Sequence, residues 1–269
     1  MKRSILLLAL TAMIFAGCSK DNENENENAN LSELMIGKWM LTEVKGHVVP
    51  TNEKVVYTIE SEIMGYISAS KVDFTEEQEK WTNHVPCDIT VEGNKIMMYG
   101  SFNKTTSFEA ELDVKSISKT MMLTESKYII RHNGDTLYAS SGSALWTKIP
   151  KDYSEDILGK WYGHITSSEG SEFDDGEPHQ WEYLADGSYV YYSLDADSNW
   201  TSDVNAMSMY FVDGDLLCTR WKNSGEGEVE HREWWEIASI ENGVMNWTAL
   251  RQRDDGTTYT ATFSMTKAQ

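Results

Sequence analysis

The sequence is poor in the features that usually announce chemistry. Apart from Cys18 it holds only Cys87 and Cys218. Two cysteines so far apart do not make a disulfide framework, and each falls in a different half of the chain, so both are expected to be free and buried. The six histidines, His47, His84, His132, His164, His179 and His231, are scattered singly, and no His-Glu-x-x-His or Cys-x-x-Cys spacing occurs. There is no Gly-x-Ser-x-Gly elbow and no phosphate loop. With no nucleophile, base or metal set legible, the sequence reads as that of a non-enzyme without cofactor or metal. Positive charge is scarce too: 23 basic residues stand against 43 acidic ones, a net charge of −20. Residues 31–151 carry 13 basic and 16 acidic residues, and residues 152–269 carry 7 and 23. Neither half offers the basic face that a nucleic-acid backbone or an anionic lipid surface requires. Finally, no stretch sustains a helical period, and no apolar run is long enough to span a bilayer as a mature helix.

What is present begins at the start of the chain. Residues 1–17 read "MKRSILLLALTAMIFAG", with a basic pair at Lys2 and Arg3, an apolar run from Ile5 to Phe15, and small residues before Cys18. This resembles a bacterial lipoprotein signal, with Phe15 where such signals usually have Leu. The resemblance implies that Cys18 becomes the lipid-bearing N-terminus and anchors the protein in a membrane. Residues 18–30 are polar and low in complexity, and a segment that can bury so little is expected to be a disordered tether. Its acidic residues Asp21, Glu23, Glu25 and Glu27 resemble the export signal of some Gram-negative surface lipoproteins. That implies an outer-membrane location, with the leaflet and face left open.

The rest of the chain says everything twice. "IGKWMLTEV" from Ile36 returns as "LGKWYGHIT" from Leu158. "KWTNHVPCDITV" from Lys80 lies against "NWTSDVNAMSMY" from Asn199, which pairs Trp81 with Trp200. "VKSISKTMML" from Val114 lies against "IASIENGVMN" from Ile237. "YASSGSALWTKI" closes the first half and "YTATFSMTKA" the second, which pairs Lys148 with Lys267. Four blocks in the same order indicate one duplicated domain, 31–150 and 151–269. Within the second half, "ADGS", "VDGD", "IENGV" and "DDGT" supply the positive φ angles of tight hairpins. Short runs rich in aromatic and β-branched residues lie between them. Eight strands can be drawn in each half, an up-and-down antiparallel meander whose edges are best hidden by closing into a barrel.

A Gly-x-Trp on the first strand, an eight-stranded meander and a basic residue on the last strand resemble the lipocalin-like (calycin) fold. The fold class expected is therefore all-β, two tandem lipocalin-like barrels. The resemblance implies that Gly37 and Gly159 allow the first strand to bend, that Trp39 and Trp161 plug one end of each barrel, and that Lys148 and Lys267 stack on those rings. The family usually has Arg at the last position. It also implies a binding function, a small apolar or amphipathic ligand held in a barrel. Alternatives are a surface lipoprotein that binds glycan or protein through exposed aromatics, and a scaffold with filled barrels.

Two local features bear on these alternatives. "DADSNWTSD" (195–203) alternates oxygen side chains like the start of a calcium loop, but Trp200 stands where the sharp-turn glycine belongs, so an acidic hairpin loop is expected. "SYVYYSL" and "EWWEI" must each point aromatics to both faces of a strand. Tyr189, Tyr191, Tyr192, Trp234 and Trp235 are accordingly the candidate ligand-lining residues. The ligand is expected to enter opposite the plug, near the hairpins at Asp186-Gly187, Asp213-Gly214 or Asn242-Gly243. Oligomeric state and ligand identity are not legible.

Overall fold

The computed structural model describes residues 27–70, 82–168, 177–202, 205–224 and 229–268. Cys18, Trp81 and the first 26 residues lie outside them. A helix α1 (Glu27–Leu34) opens the described chain and takes in the last four residues of the segment expected to lack structure. Among the described residues all the rest of the regular structure, apart from one 3-10 turn (Thr51–Glu53), is β.

The first sheet contains β1 (Gly37–Val44), β2 (His47–Val48), β3 (Val55–Ile59), β4 (Met64–Ala69), β5 (Thr82–Glu92), β6 (Lys95–Ser101), β7 (Thr106–Ile117), β8 (Met121–His132) and β9 (Asp135–Lys148). The second contains β10 (Gly159–Ser168), β11 (His179–Tyr183), β12 (Tyr189–Leu194), β13 (Trp200–Ser202), β14 (Asn205–Asp213), β15 (Leu216–Asn223), β16 (Glu230–Glu241), β17 (Val244–Gln252) and β18 (Thr258–Lys267). Every pairing is antiparallel. In the first sheet, β9 returns to pair with β1, so eight strands close into a barrel with β2 as an extra edge. The second sheet runs through the same meander, with β18 paired to β10. The chain is thus a tandem of two lipocalin-like up-and-down barrels.

The registers repeat as well as the strands. Trp39 faces Lys148 across β1 and β9, and Trp161 faces Lys267 across β10 and β18. A bulge skips one residue between Val114 and Ser116, and another skips one between Ile237 and Ser239. These are equivalent places in the third of the matched sequence blocks. A bulge re-aims a strand and is a structural feature in its own right, so its duplication argues for duplication of the whole domain.

The barrels differ where the fourth strand should meet the third. In the first, β4 and β5 share a ladder from Met64↔Asp88 to Ala69↔Thr82. In the second, β12 touches β14 through the single bridge Ser188↔Met209 and a hydrogen bond from Tyr210 N–H to the Gly187 carbonyl of 2.8 Å. The reason is local. The far half of β12, Tyr192 to Leu194, already spends its free edge on β13. Only its near end is left for β14.

The two barrels pack side by side through their outer faces. Met40 and Val56 of the first meet Phe211, Leu216 and Cys218 of the second, flanked by Ile149 and Trp234. Lys38 bridges the seam to Asp213 at 2.5 Å and to Asp152 at 2.6 Å. Asp213 is fully buried, and a charge so placed must be paired.

Candidate functional site

Each barrel has a sealed end. In the first, Trp39 is fully buried, its indole N–H donates to the Met35 carbonyl at 2.7 Å, and the Lys148 ammonium lies 5.1 Å from its ring centre. In the second, Trp161 is fully buried, donates to the Ile157 carbonyl at 2.6 Å, and has the Lys267 ammonium 5.0 Å from its ring centre. Leu31 of helix α1 and Met35 just after the helix cover the first end, and the turn around Ile157 covers the second. Gly37 and Gly159 have φ of +131° and +106°, and each leaves room for the lysine stem: a Cβ on Gly37 would stand 2.5 Å from Lys148 Cε. These positions demand glycine for both reasons.

The open ends are not alike. Above the plug of the first barrel, Tyr57 and Trp146 stack with centroids 4.6 Å apart, and the Trp146 indole donates to Thr124 Oγ1 at 3.1 Å. Beyond this stack lies a cavity of about 980 Å3 that opens at the mouth of the barrel. Its deep wall is apolar, with Ile67, Ala110, Leu112, Ile130 and Ala144 among its residues. Its rim carries Lys45, His47, Glu53, Tyr138 and Ser140. The volume is at the upper end of the range for small-molecule sites, and the combination of apolar wall and sparse polar rim is characteristic of them.

The second barrel is filled. Trp181, Tyr183, Tyr189, Trp235, Trp247 and Phe263 interlock, with centroid separations such as 5.2 Å for Trp181–Phe263 and 5.5 Å for Trp235–Trp247. The registers explain the contrast. Counting back from the lysine that faces each plug, Ala144 occupies the place of Phe263, Thr124 that of Trp247, Ile67 that of Tyr191 and Gly65 that of Tyr189. All four are smaller in the first barrel, and two of them, Ala144 and Ile67, line the cavity; the Trp146 indole bonds Thr124, and Ile89 occupies the space over Gly65.

The five aromatics expected to line a ligand site are all in the filled barrel, and none lines the cavity. Tyr189 and Trp235 are buried in its core. Tyr191 packs against that core with its hydroxyl 2.8 Å from His179 Nδ1. Tyr192 is on the outer face, where its hydroxyl donates to Glu182 Oε2 at 2.7 Å and Lys160 covers its ring. Of the Trp234–Trp235 pair, which alternation sends to opposite faces, Trp234 is the outward one, and it points into the seam, where its indole donates to the Ser70 carbonyl at 2.5 Å. The expected entry is also corrected. The hairpins at Asp186-Gly187, Asp213-Gly214 and Asn242-Gly243 all sit at the Trp161 end, as the pairing of Gly159 with Tyr183 and the bond from Lys267 N–H to the Gly243 carbonyl show. They join strands two and three, four and five, and six and seven of the meander. Alternate hairpins of a meander share an end, so these three turns mark the sealed end, whereas Asn133-Gly134 and Asp255-Gly256, each between the last two strands of its barrel, lie at the opposite end. The signal that identified the mouth was in the last matched block, where Ala144 aligns with Phe263.

The second barrel nevertheless shapes the first one's mouth. Leu250, Gln252, Gly256 and Thr258 of the β17–β18 hairpin contribute to the cavity wall. Thr51, in the loop that carries Val49, Pro50 and Glu53 to the rim, is fully buried. Its hydroxyl donates to Glu236 Oε1 at 2.8 Å and accepts the Leu250 N–H at 2.9 Å. Beneath it, Asp215 is held in the seam with Glu236, Asp213 and Lys54 nearby. Burial, followed by the Glu236 charge, raises its carboxyl to about 7.

Cys87 and Cys218 are free and buried. Burial pushes the Cys87 thiol up to about 11 and Cys218 further still, so neither is an activated thiolate. Asp195 accepts the backbone N–H groups of Asp197 and Asn199, at 2.9 and 2.8 Å, which makes 195–199 an aspartate-led hairpin loop. Among the described residues no three His, Cys, Asp or Glu side chains converge on a metal position, and no helix is long and apolar enough to cross a membrane.

No protein-family model and no characterised protein sequence matches the chain. Among solved structures it is similar to a transferrin binding protein B double mutant from Haemophilus parasuis Hp5, at 8% identity and a TM-score of 0.24, covering 83% of this chain and 61% of that one. It thus spans about three fifths of that structure's length. It is also similar to a DUF3598-family protein of unknown function from Nostoc punctiforme (10% identity, 90% and 99% coverage, TM-score 0.23). A third likeness is to a putative AttH from Nitrosomonas europaea (9% identity, 94% and 99% coverage, TM-score 0.25). At such scores these likenesses carry no weight for function, and the tandem-barrel architecture rests on the strand pairings themselves.

Proposed function

We propose that this protein is a non-catalytic, membrane-anchored binding lipoprotein that holds one small apolar or amphipathic molecule in its first barrel. The observation that carries the reading is the cavity of about 980 Å3 between the Tyr57–Trp146 stack and the mouth, walled by apolar side chains. Burying an apolar body there gains roughly 25 cal/mol for each Å2 removed from water. The filled second barrel serves as a structural partner that braces the mouth through Thr51. Cys18, by its resemblance to a lipobox, holds the pair on the outer membrane of a Gram-negative cell. Native mass spectrometry of the full-length protein, extracted gently from its own cells, tests the binding reading. A discrete small-molecule mass that travels with the chain supports it; a chain that carries none and takes up no apolar probe overturns it.

A further inference from the structure

Lys45 reaches the mouth of the first barrel by an unusual route. It turns the corner between β1 and β2 with φ of +52°, next to Gly46 at +76°. Paired positive angles of this kind make a two-residue type I′ hairpin. Lys45 N–H is fixed to the Ser143 carbonyl at 2.8 Å. The lysine stem then lies across Gly142 of β9. A Cβ on Gly142 would stand 2.5 Å from Lys45 Cε, 2.9 Å from Cγ and 3.3 Å from Cδ, and the φ of Gly142 is +149°. Gly142 is two residues from inward-facing Ala144, so by strand alternation the empty place of its side chain is on the lumen side. The lysine stem fills that place. Both residues line the cavity.

The same device occurs at the sealed end, where Gly37 admits the stem of Lys148. There the ammonium has the Trp39 ring and the Leu34 carbonyl for company. At the mouth, Lys45 has no ion-pair partner among the described residues. Of the other charged groups lining the cavity, Lys127 lies opposite Glu111 on the outer face of the barrel, His47 is exposed on the rim, and Glu53 is the one carboxylate. In a chain of net charge −20, a cation laid along the lumen wall at the entrance of an apolar cavity is a specific feature.

From the Gly142 notch and the lysine stem within it, we infer that the ligand of the first barrel is an anionic amphiphile, whose carboxylate or equally charged head group pairs with Lys45 Nζ while its apolar body extends toward the Tyr57–Trp146 stack. This rests on the binding function proposed above and narrows it to a ligand class. Lys45 is solvent-exposed at the mouth, and an anionic head group that pairs with its ammonium gains a charge-assisted hydrogen bond that a neutral or cationic head does not.

The test uses three amphiphiles with one tail, dodecanoate, dodecanol and dodecyltrimethylammonium. Each is titrated below its aggregation threshold against the full chain at low salt, by displacement of a lumen-bound fluorescent probe. Dodecanoate is expected to bind at least about tenfold more tightly than the other two. Lys45→Gln is expected to bring dodecanoate and dodecanol within about twofold of each other, and Lys45→Arg to restore the preference. Equal affinities for dodecanoate and dodecanol in the unaltered protein, or a preference that survives Lys45→Gln, overturns the assignment of Lys45 and leaves the binding function standing. If none of the three displaces the probe and the probe itself fails to bind, the binding function falls, and this inference falls with it.

Discussion

The two barrels share a topology, a plug and a bulge, yet one is hollow and the other solid. Their difference shows how little sequence is needed to convert a structural module into a container. The sealed ends are near-copies, with Trp39 and Trp161 both fully buried, both bonded to the carbonyl four residues earlier, and both under a lysine. One layer up they part. Ala144 leaves space where Phe263 fills it, and the rings around Trp181 close what remains of the second lumen. A packed interior loses stability when emptied, so a hollow barrel must be stabilised elsewhere. Here the first barrel has a fully laddered closure between β4 and β5, a helix under its base and a neighbour braced against its mouth. The second, with a solid core, tolerates a closure of one bridge.

The comparison can be broken most sharply by making the hollow barrel resemble the solid one. Ala144→Phe should place a ring in the lumen above the Tyr57–Trp146 stack. It is expected to weaken capture of an apolar fluorescent probe by at least about tenfold, the scale of 1–3 kcal/mol for forcing volume into an occupied site, with the fold retained by circular dichroism. Next in size is the plug. Trp161→Ala should destabilise the protein by about 3–5 kcal/mol in denaturant unfolding, and Trp39→Ala by a similar amount. A cost under about 1 kcal/mol would show that these rings seal nothing.

The seam gives smaller effects. Asp215 has a folded-state value of about 7 against an ordinary value of 3.8. The folded protein therefore binds the proton more tightly than the unfolded chain, and stability should fall as pH rises from about 4 to about 7 and then level off. At about 1.4 kcal/mol per pH unit this contribution is at most of order 4 kcal/mol. Asp215→Asn should remove that slope in urea titrations across the same window. Thr51→Val leaves the Leu250 N–H and Glu236 short of a partner and should cost about 1–3 kcal/mol, with a loosened grip on probe at the mouth. Least of all, Tyr191→Phe should leave probe affinity unchanged, because Tyr191 belongs to the filled barrel.

Most of the architecture was legible because it was written twice. Duplicated Gly-Lys-Trp and closing lysines fix where each meander begins and ends, and Asp-Gly and Asn-Gly pairs locate its hairpins. The helix over 27–34 was not legible. Its residues have no apolar period, and Leu31 and the following Met35 bury against the barrel base. The site was misplaced for a physical reason. Aromatic richness in "SYVYYSL" and "EWWEI" signals filled volume, whereas the cavity is signalled by missing bulk at Ala144 and Ile67, which draw no attention singly. Only residue-by-residue comparison of the repeats reveals them. Trp234 shows the other limit: strand alternation required one of Trp234 and Trp235 to lie outside the barrel, but nothing local to the sequence told which one, or that the outside there is the neighbouring barrel's wall.

The central claim, one hollow barrel and one solid, is tested most directly by the stoichiometry of apolar probe binding to the full chain, measured in parallel on the unaltered protein and on Ala144→Phe. One site per chain that Ala144→Phe abolishes is the expected result. Two sites per chain, or a single site indifferent to Ala144→Phe, would contradict it.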